Sequence, residues 1–148
     1  MRNCLFIAIL LLILSPLSSF AGTWAKTYGG TGFDHMGPIV NTSDGGLMVA
    51  GRSVSFGAGG MDYLLMKLNS NGGIQWQKTY GGGQDEIPYD IKELSDGYIV
   101  TGLTKSFGAG DWDFWVLKLD ASGNILWQKT YGGNRLELQR NIGDHSQD

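Results

Sequence analysis

The chain has 148 residues, 24 of them glycine and only three proline, and its apolar fraction of 42% is ordinary for a globular domain, so disorder is not indicated. Lys and Arg number 11 against 14 Asp and Glu, a net charge of −3 with no basic run or stripe, which excludes nucleic acid as an expected partner. The one cysteine, Cys4, stands at the very start, which excludes a disulfide-stapled scaffold and thiol chemistry in the body of the protein.

Residues 1–21 read as an export signal. Arg2 supplies the positive start, Leu5 to Leu14 is an unbroken apolar run, and Pro16 ends it. Ser19-Phe20-Ala21 then places small residues where a signal peptidase needs them, so cleavage is expected before Gly22. The apolar run is shorter than the roughly 20 residues of a membrane span. Cys4 precedes that run and is not placed like a lipoprotein cysteine. The expected location is secreted, periplasmic or cell-surface, with no membrane-spanning segment after cleavage.

Past the signal one heptapeptide is written three times. It is WAKTYGG at Trp24–Gly30 and WQKTYGG at both Trp76–Gly82 and Trp127–Gly133. The intervening stretches align with a single one-residue gap, where SDGGLMVAG becomes SDGYIVTG. The repeat region 22–133 therefore divides into a leading strand at 23–30, repeat one at 31–82 and repeat two at 83–133. Residues 134–148 form a divergent start of a third repeat or a tail.

Each unit predicts four strands. Strand one is short, PIVNT or YDIKEL, and an Asp-Gly turn leads to strand two, LMVAGRS or YIVTGLT. A glycine-rich loop on SFGAG precedes strand three, DYLLMKLN or DFWVLKLD, and a tight turn at Gly72 or Gly123 leads to strand four, which ends in the heptapeptide. Strand three is apolar on both faces, as in Tyr63-Leu64-Leu65-Met66 and Phe114-Trp115-Val116-Leu117, which predicts cover from above and below. Strand four alternates, as an outer, half-wet strand does. No helical periodicity competes. The predicted class is all-β, built of four-stranded antiparallel blades of about 51 residues, propeller-like and incomplete at two blades plus flanking strands.

The string KLDASGNILWQKTYGG resembles the tryptophan-docking motif of quinoprotein-type propellers. The whole unit, YGG…SDGG…SFGAG…D-x-W-x-LKLD-x-x-G-x-I-x-W-QKT, more closely resembles tandem repeats of secreted bacterial and archaeal β-propeller-like proteins, over residues 23–133. The resemblance implies a propeller-type fold and export, and no established activity; quinone-cofactor chemistry is not inherited through one docking motif. Two and a fraction units do not fill a ring of four to eight blades. A fragment of a longer propeller is the leading expectation, and homo-oligomeric assembly or a freestanding pair of blades stays open.

The longer loops, two-three and four-one, share one end of such a blade and are where function is expected. They offer Asp34, His35, Asp85, Glu86, Asp111 and Trp112 as a candidate ligand-binding face. Trp24, Trp76, Trp127, Tyr28, Tyr80 and Tyr131 recur with the repeat and are expected to be structural, as are Asp62 and Asp113, placed to accept backbone N–H bonds from the glycine loops. The repeated lysines are expected to lay their stems along Trp and Tyr with the ammonium at water or over a ring. With two histidines, His35 and His145, neither a triad nor a histidine metal centre can be assembled. The glycine-rich segments join strand to strand and lack the helix N-terminus of a phosphate loop. The expected function is a non-catalytic exported module for binding or scaffolding, with no metal, cofactor or catalytic residue and an unknown partner. The alternative is a lectin-like carbohydrate binder assembled from several short chains, with Trp112 as its stacking surface.

Overall fold

The structure, a computed structural model, describes residues 23–133. The signal peptide expected at 1–21 and the segment 134–148 lie outside the described residues. The described residues form eight strands and no helix: β1 (Asp34–Asn41), β2 (Leu47–Ser53), β3 (Asp62–Leu68), β4 (Ile74–Tyr80), β5 (Glu86–Leu94), β6 (Gly97–Thr104), β7 (Asp113–Leu119) and β8 (Ile125–Tyr131). They form two antiparallel meanders, β1-β2-β3-β4 and β5-β6-β7-β8, one per repeat. The fold is all-β, two propeller-like blades that do not close a ring.

The turns follow from local chemistry. At the β1–β2 turn, Asp44 Oδ1 accepts from the Gly46 amide at 3.0 Å and Gly45 takes φ +79°. At the β3–β4 turn, Asn69 Oδ1 accepts from the Asn71 and Gly73 amides at 2.9 and 2.8 Å, and Asp120 does the same for Ser122 and Asn124 in the second blade. The strand-three lysines depart from expectation. Lys67 Nζ is drawn under the first hairpin, 2.9 and 2.8 Å from the two Asp44 carboxylate oxygens, and Lys118 pairs with Asp96 in the same way. A buried ammonium requires an anion and acceptors around it, and the repeated Asp of each Asp-Gly turn supplies the anion.

Strand one begins earlier than the sequence suggests and carries a bulge in each blade. The β1–β2 register shifts between Met36 and Ile39, and the β5–β6 register between Pro88 and Asp90. Pro38 and Pro88 sit at these bulges, where a missing N–H costs no ladder bond.

The blades are joined face to face. Met48, Ala50, Tyr63 and Leu65 of the first pack with Ile91, Tyr98, Val100, Trp115, Leu117 and Leu119 of the second as one buried cluster. The Tyr63 and Trp115 rings lie 5.0 Å apart, tilted by 53°. The other face of the first blade, Val49, Leu64, Met66 and Leu68, forms a smaller cluster under Tyr28. β3 is therefore covered on both sides and buried throughout. β7 is covered on one side only, and Phe114 is 66% exposed on the other.

Candidate functional site

The heptapeptide builds the seam between blades. Trp76 leaves the edge of the first blade and lies across the β7–β8 turn of the second, donating from Nε1 to Ala121 O at 3.1 Å. Tyr80, four residues on, donates from its hydroxyl to Gly123 O at 2.6 Å. Gly123 has φ +76°, and a Cβ there would stand 3.0 Å from both the Trp76 ring and the Tyr80 hydroxyl. Glycine is required twice over, for the left-handed turn and for the approach of the indole.

Trp24 and Tyr28 repeat this arrangement on the first blade. Trp24 Nε1 donates to Ser70 O at 3.2 Å, Tyr28 donates to Gly72 O at 2.6 Å, and Gly72 has φ +69°. Yet residues 23–30, expected as a strand, have no strand ladder. The reason is geometric. β4 and β8 draw their ladders from strand three of their own blade, and no such strand precedes Trp24 among the described residues. The side chains dock without it. Trp127 and Tyr131, the third copy, touch no such turn among the described residues and are 42% and 54% exposed.

The two glycines of each Tyr-Gly-Gly also have distinct neighbours. A Cβ on Gly81 would overlap Asp62 Oδ1 and Glu86 Oε2, and one on Gly132 would overlap Asp113 Oδ1. A Cβ on the second glycine, Gly30 or Gly82, would meet Ser55 or Ser106 at 2.6 or 2.5 Å, with Phe56 or Phe107 next to it. Thus YGG and SFGAG recur together because one blade's exit packs on the next blade's loop.

The residues expected on the loop face fall into separate places. Asp34 and Glu86 are the first residues of β1 and β5. Asp34 accepts from Ser53 Oγ, from Ser55 Oγ at 2.8 Å and from the Gly30 amide at 2.8 Å. Glu86 accepts from Thr104 Oγ1 at 2.8 Å, the Ser106 amide at 3.1 Å and the Gly82 amide at 2.9 Å. The two are one repeated clamp, and its donors hold the Asp34 carboxyl below the ordinary aspartate range, Ser53 foremost. Asp85 Oδ1 accepts from the Met61 amide at 3.0 Å across the seam. Trp112 is half-buried, with Lys105 Nζ 4.6 Å from its ring centroid and 3.8 Å from Asp111, so one face of the indole is already taken. No group of three or more His, Cys, Asp or Glu among the described residues is placed to hold a metal.

Asp62 accepts from the Ala58 amide at 2.8 Å, while its Oδ1 is buried without a partner and faces Glu86. Burial first, and the Glu86 charge after it, push its pKa up from 3.8. A raised folded-state value means that the native state holds the proton more tightly than the unfolded chain. The stability that this proton supports is full below pH ~3.8. It is lost as pH rises through the raised value. Asp62→Asn, which removes the charge, is expected to flatten the decline of the urea midpoint between pH 4 and 8. Parallel profiles for the two proteins would refute this.

Two residues of the expected ligand face reach a cleft: Asp34 lines a small one of about 120 Å³ beside Tyr28 and Met66, and His35 lines both that one and a larger one. A cavity of about 280 Å³ opens between the two inner-strand bulges, walled by Pro38, Ile87, Pro88 and Tyr89 with His35 and Arg52 at its edge. Arg52 and Tyr89 belong to no repeated motif. The signal that finds them is departure from the repeat, since Leu103 and Gly37 occupy their positions in the other unit.

No protein-family model matches the chain, and no curated protein matches it.

Proposed function

We propose that this chain is an exported, non-catalytic repeat module of β-propeller type, and that it works by docking blade to blade through the far face of its second blade. The observation that carries the reading is the uneven fate of three like tryptophans. Trp24 and Trp76 each lie on a glycine turn, whereas Trp127 lies on none among the described residues. Phe114 stands on the same open face, at the position where Tyr63 of the first blade meets Trp115 of the second. A face so equipped fits the side of a blade that carries Val49, Leu64 and a glycine turn, and a second copy of this chain carries both. In that copy Trp24–Gly30 holds the turn, but without a ladder, so a whole incoming blade can displace it.

The molar mass of the mature protein, measured by light scattering across a concentration series, tests this. A discrete, concentration-dependent oligomer is expected, and Phe114→Ser with Trp127→Ala is expected to reduce it to monomer without loss of β-sheet signal. A wild-type protein that stays monomeric at high concentration removes the reading.

A further inference from the structure

We propose that the cleft between the inner-strand bulges binds a small organic carboxylate, held by the guanidinium of Arg52. This site lies away from the docking face of the second blade, and the inference does not depend on assembly.

Arg52 is the only arginine among the described residues. Its Nε is buried and has no hydrogen-bond acceptor among them, and none of their carboxylates forms a salt bridge with it. A buried donor without an acceptor is a standing cost to a fold, and here it leaves the guanidinium charge uncompensated by the described residues. Asp34 and Glu86, the acidic residues that open β1 and β5, are engaged elsewhere. Both oxygens of Asp34 take donors from Ser53, Ser55 and Gly30, and Glu86 takes Thr104, Ser106 and Gly82. Arg52 thus lines the cleft with its charge unpaired among the described residues, and the N–H groups of a guanidinium match the two oxygens of a carboxylate.

The rest of the cleft argues for an organic acid over a bare inorganic anion. Pro38, Ile87, Pro88 and Tyr89 give it an apolar wall on which a short carbon skeleton or ring can lie. His35, directly across the ladder from Arg52, adds a second donor at the polar edge. Bulges in both inner strands create the space, and the β5 bulge leaves Tyr89 without a ladder partner, turned to the open side.

The second repeat supplies the control. Leu103 stands where Arg52 does and Ile87 where His35 does, in a blade of the same topology. Arginine and histidine are therefore not what a blade needs at these two positions.

The test is titration of the mature full-length chain with sodium benzoate, followed by ¹H–¹⁵N NMR, with inorganic phosphate as the comparison anion. The expected result is a saturable shift of the Arg52 Nε–H signal and of the Tyr89 amide, with phosphate binding far more weakly. Arg52→Leu, which installs the residue of the second repeat, is expected to weaken benzoate binding at least about tenfold at unchanged melting temperature. Arg52→Lys, which keeps a charge but loses the fork, is expected to weaken it several-fold and serves if the leucine variant misfolds. A shift that does not saturate, phosphate binding as tightly as benzoate, or full binding by either variant overturns the proposal.

Discussion

Trp76→Ala is expected to destabilise the protein by about 3 kcal/mol, while Trp127→Ala is expected to change stability by less than about 0.5 kcal/mol. The two residues occupy the same place in the same heptapeptide, so propensity and strand context cancel between them. What differs is the far side of the indole. Trp76 covers Gly123, donates to Ala121 O and meets the Tyr98 ring edge-on at 6.1 Å. Truncating it would open a hole in the seam and leave the turn of the second blade uncovered. Trp127 lies on no glycine turn among the described residues and has Lys129 5.9 Å from its ring centroid. Trp24→Ala should fall between, since that indole docks on Gly72 but belongs to a segment without a ladder. Urea unfolding of dilute protein, where subunits are apart, reads all three. Equal losses at Trp76 and Trp127 would mean that the docking contact contributes nothing.

The repeat made most of this fold legible. Two aligned copies of an alternating pattern, each closed by Asp-Gly and Asn/Asp-x-x-Gly turns, leave little freedom in strand number or order. The interior position of β3 was also legible, because Tyr63-Leu64-Leu65-Met66 has no polar face to offer water. Three matters were not. The start of strand one was hidden by the glycines before it, since Asp34 and Glu86 look like loop acids until Ser53 and Thr104 are placed beside them. The clamp escaped notice as a repeat because one copy uses aspartate and the other glutamate. The destination of Lys67 required the hairpin of β1 and β2 to fold over it, a non-local fact.

The inner-strand cleft failed to show for a different reason. Repeats are found by looking for sameness, and a site laid onto a repeat is a departure from it. His35 stands out in the sequence as a rare residue, but Arg52 looks like no more than the end of a strand. Comparing unit with unit, position by position, marks both residues together with Trp112. The structure then separates them, because Lys105 covers Trp112 while nothing among the described residues neutralises Arg52.

The run Gly81-Gly82-Gly83 offers the sharpest test of how the seam is packed, because three adjacent glycines are expected to answer the same substitution differently. Gly81→Ala should cost about 3 kcal/mol. Its new methyl would overlap Asp62 Oδ1 and Glu86 Oε2, and both of those side chains are almost wholly buried, so neither can swing out to water. Moving either carboxylate would also break the amide and hydroxyl bonds that tie the two loops together. Gly82→Ala meets Ser106 Cβ at 2.5 Å with the Phe107 ring behind it at 3.4 Å. Ser106 is half-buried and on a loop, so a shift there is easier and a loss of about 1–2 kcal/mol is expected. Gly83→Ala has nothing within 4 Å and no left-handed φ. It should be neutral or stabilise by up to about 1 kcal/mol, through the reduced freedom of the unfolded chain. Thermal and urea unfolding of the three variants gives the order directly. If Gly83→Ala proved the worst of them, the heptapeptide's glycines would be serving the path of the chain and not the contact between Asp62 and Glu86. If Gly81→Ala were harmless, the carboxylate pair could not lie against that backbone at all.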